Sequence, residues 1–345
     1  MSQKNFKHFF LENVLDFIWS QWSALGVAGG GVRPEDHWLI DPEALLIFSL
    51  EMARYDPRVF DEILDWLVIN GRWIDNQRLR TILKAKDEET KRLVCAVAWF
   101  VADNVPTYKR KWEAVAGLCE RAEYSPQIIV FKTKEGRPYP YPDKKSKYFL
   151  SYGFLREEPA IRKMTRPVNV GVKANLRFLL RSLVGIGGRS ECLAYLLTHD
   201  GGYPAEMAKE IGLTVKGVRD VLVDLTDSGL VLTRPKGRRK LEYYLNKKRW
   251  FEFITGQNME EIKTPVWLNW IALYSALSGV WNVLNEIEKT ESNYMKSSKL
   301  REAMETISTE FSRSGLEHPP VPGPDVNPNE YEKAFENFIT KVLGA

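Results

Sequence analysis

With 345 residues, 44% of them hydrophobic and 12% aromatic, the chain can bury a large core and is long enough for two or three domains. A net charge of +4 does not by itself mark a polyanion binder, and Cys95, Cys119 and Cys192, odd in number and without C-x-x-C spacing, fit buried reduced thiols rather than a disulfide framework or a zinc site. No run approaches the roughly 18 apolar residues of a membrane span, and acids interrupt the apolar N-terminal stretch as they do not in a signal peptide, so a cytoplasmic location is expected.

Residues 1–122 read as a helical domain. A helix is expected over 5–25, followed by the loop GVAGGGVRPEDHW. Asp41 before Pro42 starts a helix over 42–54, and Asp56 before Pro57 repeats the device for one that ends near Asn70 and Gly71. An aspartate accepts from the unpaired N–H groups of a first turn, and proline tolerates the first helical position because it has no N–H to satisfy there. Further helices are expected over 76–84, 88–103 and 108–122.

From 123 to 171 the helical pattern fails. One β-prone run, 128–131, precedes a mixture of Pro, Tyr and Lys that reads as an irregular basic linker, with Lys132, Lys134, Lys144, Lys145 and Lys147 in it.

Residues 172–256 hold the most informative segment. After helices expected over 172–183 and 189–198, the stretch PAEMAKEIGLTVKGVRDVLVDLTDSGLV sets Ala208, Gly212, Val218 and Val221 four, six and three residues apart, with Met207, Ile211 and Leu213 at the neighbouring apolar positions. Two helices crossing steeply through a short turn need a small residue where they touch, a glycine in the turn and aliphatic residues on the inner face of the second. Thr214 is placed to cap that second helix, 214–228, and Gly229 to end it. Gly217, inside the helix at a cost of about 1 kcal/mol against alanine, suggests the close approach of another backbone. Two β-prone runs then flank a basic turn with Arg234, Lys236, Arg238, Arg239 and Lys240, the outline of a hairpin wing.

These residues carry a resemblance. The IGLT turn, the VRDVLVDL helix, the SGLV exit and the RPKGRR wing closed by EYYL resemble the winged helix-turn-helix of bacterial transcription regulators of the arsenical-resistance-repressor and multiple-antibiotic-resistance-regulator kinds, over about residues 189–250. The resemblance implies that helix 214–228 enters the major groove while the wing lies on phosphates or in the minor groove. The paired cysteines of metal-sensing members are missing from this helix, so no metal sensing is carried over.

At 100° per residue, Val218, Val221, Leu222 and Leu225 share one face, which leaves Lys216 opposite and Arg219 on the flank. Lys216 and Arg219 are the candidates for base or phosphate contact, with Thr214 and the five wing residues as further DNA-binding candidates. Asp220, Asp224 and Asp227 fall on or beside the exposed side of the same helix and count against it, because carboxylates repel phosphates. Charge distribution supports the reading: residues 131–250 carry 25 Lys and Arg against 12 Asp and Glu, a net +13, so the remainder of the chain is −9.

The region 257–345 reads as helical. A short helix over 247–255 leads to TPVWLNWIALYSALSGVWNVLNEIE, apolar almost all round and therefore buried on several sides, either in a bundle with helices over 292–314 and 328–343 or between two subunits. The expectation is thus a mainly α protein with a small β-hairpin. Phosphate-loop, dinucleotide, metalloprotease and nucleophile-elbow motifs are absent, and His8, His37, His199 and His318 are dispersed, so neither an enzyme nor a cofactor is expected. Double-stranded DNA bound by a homodimer is the leading expectation. The alternative is a protein-interaction module, such as an antitoxin that keeps the winged helix as a scaffold and regulates its own promoter.

Overall fold

The computed structural model describes residues 3–28, 37–122, 124, 126–236, 240–256, 264–323 and 325–344. Within them the chain is mainly helical, with two small two-stranded sheets.

Helix α1 (Gln3–Ala24) is followed by α2 (Pro42–Met52), α3 (Pro57–Asn70), α4 (Asn76–Leu83), α5 (Glu88–Asn104) and α6 (Lys109–Ala116). Four aspartates start four of these helices. The carboxylate of Asp41 accepts from the Ala44 N–H, Asp56 from Arg58 and Val59, Asp75 from Gln77 and Arg78, and Asp87 from Thr90. Helix α6 stops six residues short of the boundary expected at 122. Gly117 weakens its continuation, and the N–H of Ala122 donates instead to the carbonyl of Ser151 at 3.0 Å, a tertiary bond that a continued helix would forgo.

The segment 123–171 is more ordered than its sequence suggests. β1 (Ile128–Ile129) pairs in parallel with β2 (Phe154–Leu155), and the four-residue α7 (Lys147–Leu150) lies between them. Side chains of the N-terminal helices hold the segment down. Arg54 Nε donates to the Val130 carbonyl at 2.9 Å, the Asp65 carboxylate accepts from the N–H groups of Lys163 and Thr165, and Asn70 bonds the backbone of Arg166 and Val168. Val130, Phe149, Tyr152 and Phe154 are fully buried.

Next come α8 (Leu176–Val184), α9 (Gly188–Thr198), α10 (Pro204–Ile211), α11 (Val215–Asp227), the antiparallel pair β3 (Leu232–Lys236) and β4 (Lys240–Tyr244), and α12 (Lys247–Thr255). The chain ends in α13 (Trp270–Glu288), α14 (Asn293–Ser314) and α15 (Pro328–Leu343).

Two apolar cores result. The larger takes side chains from α1–α7 and also from α13–α15, so the regions 1–122 and 257–345, far apart in sequence, fill one interior. Helix α13 is covered within the chain: Tyr274 stacks on Phe48 of α2 with centroids 4.5 Å apart, Trp281 stacks on Phe10 of α1, and α14 packs along its length. The smaller core belongs to α8–α12 and the hairpin, and takes in Leu39 and Trp267 from outside that span. No helix among the described residues is long and apolar enough to cross a membrane.

Candidate nucleic-acid interface

Three helices and a hairpin build the candidate surface. Pro204 begins α10, and Gly212 ends it in the left-handed region at φ 69°, from which Leu213 N–H returns to the Ala208 carbonyl at 3.1 Å. Thr214 Oγ1 then accepts from Gly217 N–H at 3.1 Å and caps α11. Val218, Leu222 and Leu225 are buried against Met207, Ala208 and Ile211 of α10 and Cys192, Leu193 and Leu196 of α9. Val221 sits at the edge, against Gly188, where a Cβ would lie 3.0 Å from its Cγ2. Gly229, at φ 73°, turns the chain out of α11, and the N–H groups of Leu230 and Val231 both reach the Leu225 carbonyl.

The hairpin register sets Leu232 opposite Tyr244, Arg234 opposite Glu242 and Lys236 opposite Lys240. A further bridge joins Gly202, just before α10, to Tyr243 through reciprocal backbone bonds of 2.9 and 3.0 Å. Glycine is required at 202, because a Cβ would come within 2.7 Å of the Tyr195 ring and 2.9 Å of Met207 Cγ.

The eight expected DNA-binding residues divide by environment. Lys216 and Arg219 are exposed on α11, without ion-pair or hydrogen-bond partners for their side chains among the described residues. Thr214 is exposed but spends its hydroxyl on the cap. Arg234 and Lys236 both bond one carboxylate, that of Glu242, Lys236 at 2.7 Å. Hydrogen bonds from Lys236 and Arg234 hold that carboxyl below the usual carboxylate range, and Glu242 in turn raises both bases. Lys240 makes no ion pair among the described residues and lies 5.6 Å from the Tyr203 ring. Arg238 and Arg239 lie outside the described residues.

Asp224 is bridged to Arg189 of α9 at 3.3 Å, whereas Asp220 and Asp227 stand exposed on α11. Gly217 corrects one expectation: among the described residues no backbone of another element comes within 4 Å of where its Cβ would lie, and that Cβ would meet only the hydroxyl of Thr214, at 3.1 Å. His199 ends α9 by bonding the Tyr195 carbonyl through both its backbone N–H and its ring Nδ1. Its ring stacks on Tyr195 with centroids 3.8 Å apart, and burial pushes its pKa below the ordinary histidine value.

A second feature, invisible in the sequence, ties this unit to the rest of the molecule. Asp41, which caps α2, Glu43 of α2, Arg78 of α4, Arg177 and Arg181 of α8 and Glu191 of α9 form one ionic network, with every side chain at most 3% exposed. Arg181 bonds both oxygens of Glu43 at 2.8 Å, Glu191 Oε1 at 2.7 Å and the carbonyl of Trp73 at 2.6 Å. Arg78 bonds Asp41 and, at 2.7 Å, Glu43, while its Nε donates to the Ile211 carbonyl at 2.5 Å, at the end of α10. Three guanidiniums face three carboxylates, so the set balances. Burial opposes ionisation of Asp41, but Arg78 and Arg177 outweigh it and hold its carboxyl well below the usual range. For Glu43 burial is likewise outweighed, first by Arg181 and then by Arg78.

The turn between α10 and α11 is docked in the same place. A Cβ on Gly212 would lie 2.8 Å from Ile271 Cδ1 of α13 and 3.3 Å from Ile82 Cγ1 of α4. Trp267 completes the seam, edge-on to Tyr195 and His199 and 5.2 Å from the Arg177 guanidinium.

Comparison with protein-family models, curated proteins and solved structures finds no match to this chain, so the surface is read from its own geometry.

Proposed function

We propose that the chain is a DNA-binding regulator that reads duplex DNA through a winged helix-turn-helix, with α11 in the major groove and the β3–β4 hairpin against the backbone or the minor groove. The observation that carries this reading is the division of α11. Val218, Leu222 and Leu225 seal one side, while Lys216 and Arg219 project from its N-terminal half without ion-pair or hydrogen-bond partners among the described residues. An arginine so presented can pair bidentately with a guanine, worth about 1–3 kcal/mol of discrimination. The hairpin then adds phosphate contacts that carry no sequence information. Two copies on two half-sites complete the proposal, since one unit spans only one.

The test is binding of duplex DNA from the chain's own upstream region, measured by fluorescence anisotropy across a salt series. Lys216→Ala with Arg219→Ala should change the ranking of sites, whereas Lys240→Ala should weaken all sequences alike and flatten the salt dependence by about one unit of slope. Purified protein that ignores both specific and random duplexes at low salt would sink the proposal.

A second reading, the protein-interaction module, is favoured by the docking of the unit. The turn is pressed on α4 and α13, and Glu242 engages two of the hairpin's bases. On that reading α11 presents its exposed Val223, Asp220 and Asp227 to a protein, and the same double substitution weakens a protein complex while leaving DNA unbound.

A further inference from the structure

Away from α11, a cleft of about 740 Å³ opens between the end of α2, the start of α5, residues 132–136 and the face of α13 from Ser275 onward. That volume lies within the range of small-molecule sites, roughly 300–1,000 Å³. Helix α13 buries apolar residues on its other faces, yet Ser275, Ser278, Asn282 and Asn285, with Lys289 just past its end, recur at intervals of three and four, and all five line this cleft.

Its charges are unevenly engaged. Three of the lining carboxylates are taken: Glu51 by Lys86 and Ser278 at 2.8 Å each, Glu288 by Lys7 at 2.5 Å, and Glu89 by Arg54. Of the other two lining acids, Asp87 turns its carboxylate onto Thr90 of its own helix and Glu135 is exposed. Donors, by contrast, remain. Arg54 is 8% exposed, and its Nη2 has no hydrogen-bond partner among the described residues although Nε and Nη1 do. The ammoniums of Lys132 and Lys289 have no ion-pair or hydrogen-bond partner among the described residues.

Lys132 is the telling group. It is half-buried, its backbone N–H is fixed to the Arg54 carbonyl at 2.8 Å, and burial followed by the nearby Arg54 charge pushes its pKa below the ordinary lysine value. Two cationic groups so placed, one of them half-buried and unpaired among the described residues, would be relieved by an anion that reaches both.

We propose that this cleft binds a small phosphorylated metabolite, its phosphate held by Lys132 and Lys289 beside Arg54 and its polar remainder lying along the Ser275–Asn282 stripe of α13. Two unpaired ammoniums match a dianion better than a monocarboxylate, and the hydroxyl and amide groups of the stripe suit a hydroxylated body. The site is independent of the DNA reading and is tested on the protein alone.

The experiment titrates inorganic phosphate into the full-length protein at constant ionic strength, with acetate as the monoanion control, and follows backbone amide shifts. Saturable shifts confined to residues around Arg54, to 130–136 and to 275–289, absent with acetate, are expected. Lys132→Met should weaken phosphate binding about tenfold or more, as expected for one charge-assisted contact. It should also leave thermal stability unchanged or raised, since the ammonium it removes is unpaired. Lys289→Met gives a second reading should the first variant fold poorly, and Lys145→Met, in the exposed loop, should change nothing. Absence of saturation, equal response to acetate, or binding that survives both cleft substitutions would overturn the proposal.

Discussion

The buried ionic network yields the sharpest prediction. Arg181 is fully buried and forms hydrogen bonds to Glu43, Glu191 and the Trp73 carbonyl, so Arg181→Met removes one of three positive charges and leaves three carboxylates facing two guanidiniums. Breaking a buried pair by deleting one partner typically costs about 3–5 kcal/mol, because the orphaned charge stays desolvated. At roughly 2.1 cal/mol/K per residue, the unfolding entropy of a chain this long is about 0.7 kcal/mol/K, so a loss near 4 kcal/mol lowers Tm by about 5–6 °C. Differential scanning calorimetry and urea denaturation should agree on that figure.

Charge balance supplies the control. Arg181→Met combined with Glu43→Gln leaves two charges of each sign, and its cost should fall short of the sum of the single substitutions by about 1–3 kcal/mol. The pH response follows from the same reasoning. In the wild type Asp41 and Glu43 are depressed, so their contribution is complete above the unfolded carboxylate values, about 4, and is lost as pH falls through the folded ones. In Arg181→Met the orphaned carboxylate is raised instead, so the folded state holds an extra proton and gains relative stability as pH falls. The gap between the two proteins should therefore narrow from about pH 8 to about pH 5. A single substitution that costs under about 1 kcal/mol, or a double that is additive, would refute the account of this cluster as one balanced set.

Three further outcomes are expected. Gly212→Ala should cost about 1–3 kcal/mol, because it combines a φ of 69° with a Cβ 2.8 Å from Ile271; Gly229→Ala, at φ 73° with open space around it, should cost only the backbone share of about 1 kcal/mol by urea denaturation. His199 is held neutral by burial, so folding stability should decline as pH drops below about 6.5 toward its lowered folded value, and His199→Phe should flatten that slope in melts at stepped pH. Glu242→Gln frees Arg234 and Lys236 from their shared carboxylate, and duplex DNA affinity at low salt should rise about three- to tenfold with a steeper salt dependence; unchanged anisotropy curves would mean that the hairpin does not touch DNA.

Local structure was legible wherever a single side chain decides it. The aspartate caps, Pro42 and Pro57, Gly212 at the left-handed turn and Thr214 on α11 all act over one helical turn, and the boundaries read from them hold to within one or two residues. The buried face of α11 was equally legible, since periodicity alone assigns Val218, Leu222 and Leu225. Sequence could not show what distant segments do to one another. Segment 123–171 has no periodicity because Arg54, just after α2, and side chains of α3 supply its hydrogen bonds, and α6 ends early for a bond to Ser151. Nor could it reveal that Glu242 engages Arg234 and Lys236. The register opposes Arg234 to Glu242, but a basic turn followed by one acid reads as net positive. The ionic network was hidden most completely: its six members lie on, or at the start of, four helices between positions 41 and 191, Asp41 reads only as a helix cap, and nothing in the sequence pairs it with the other five.

That network also explains why the α8–α12 unit carries its own core without being loosely tethered. Apolar contacts such as Gly212 on Ile271 and Ile82 bring α10 against α4 and α13, but they are non-directional and tolerate sliding. Arg78 is directional. One guanidinium spans the Asp41 carboxylate, Glu43 and the Ile211 carbonyl, so the end of α10 has one hydrogen-bonded position relative to α2. Displacing it strands a buried cation and two anions together, a loss that grows with separation in a medium of low polarity. Desolvating six charges gives little net stability, and what it supplies instead is a fixed angle between α11 and the helical body. On the DNA reading, Lys216 and Arg219 then reach the groove at an orientation set by buried chemistry some residues behind them, and the helical domain is the part of the protein that does the aiming.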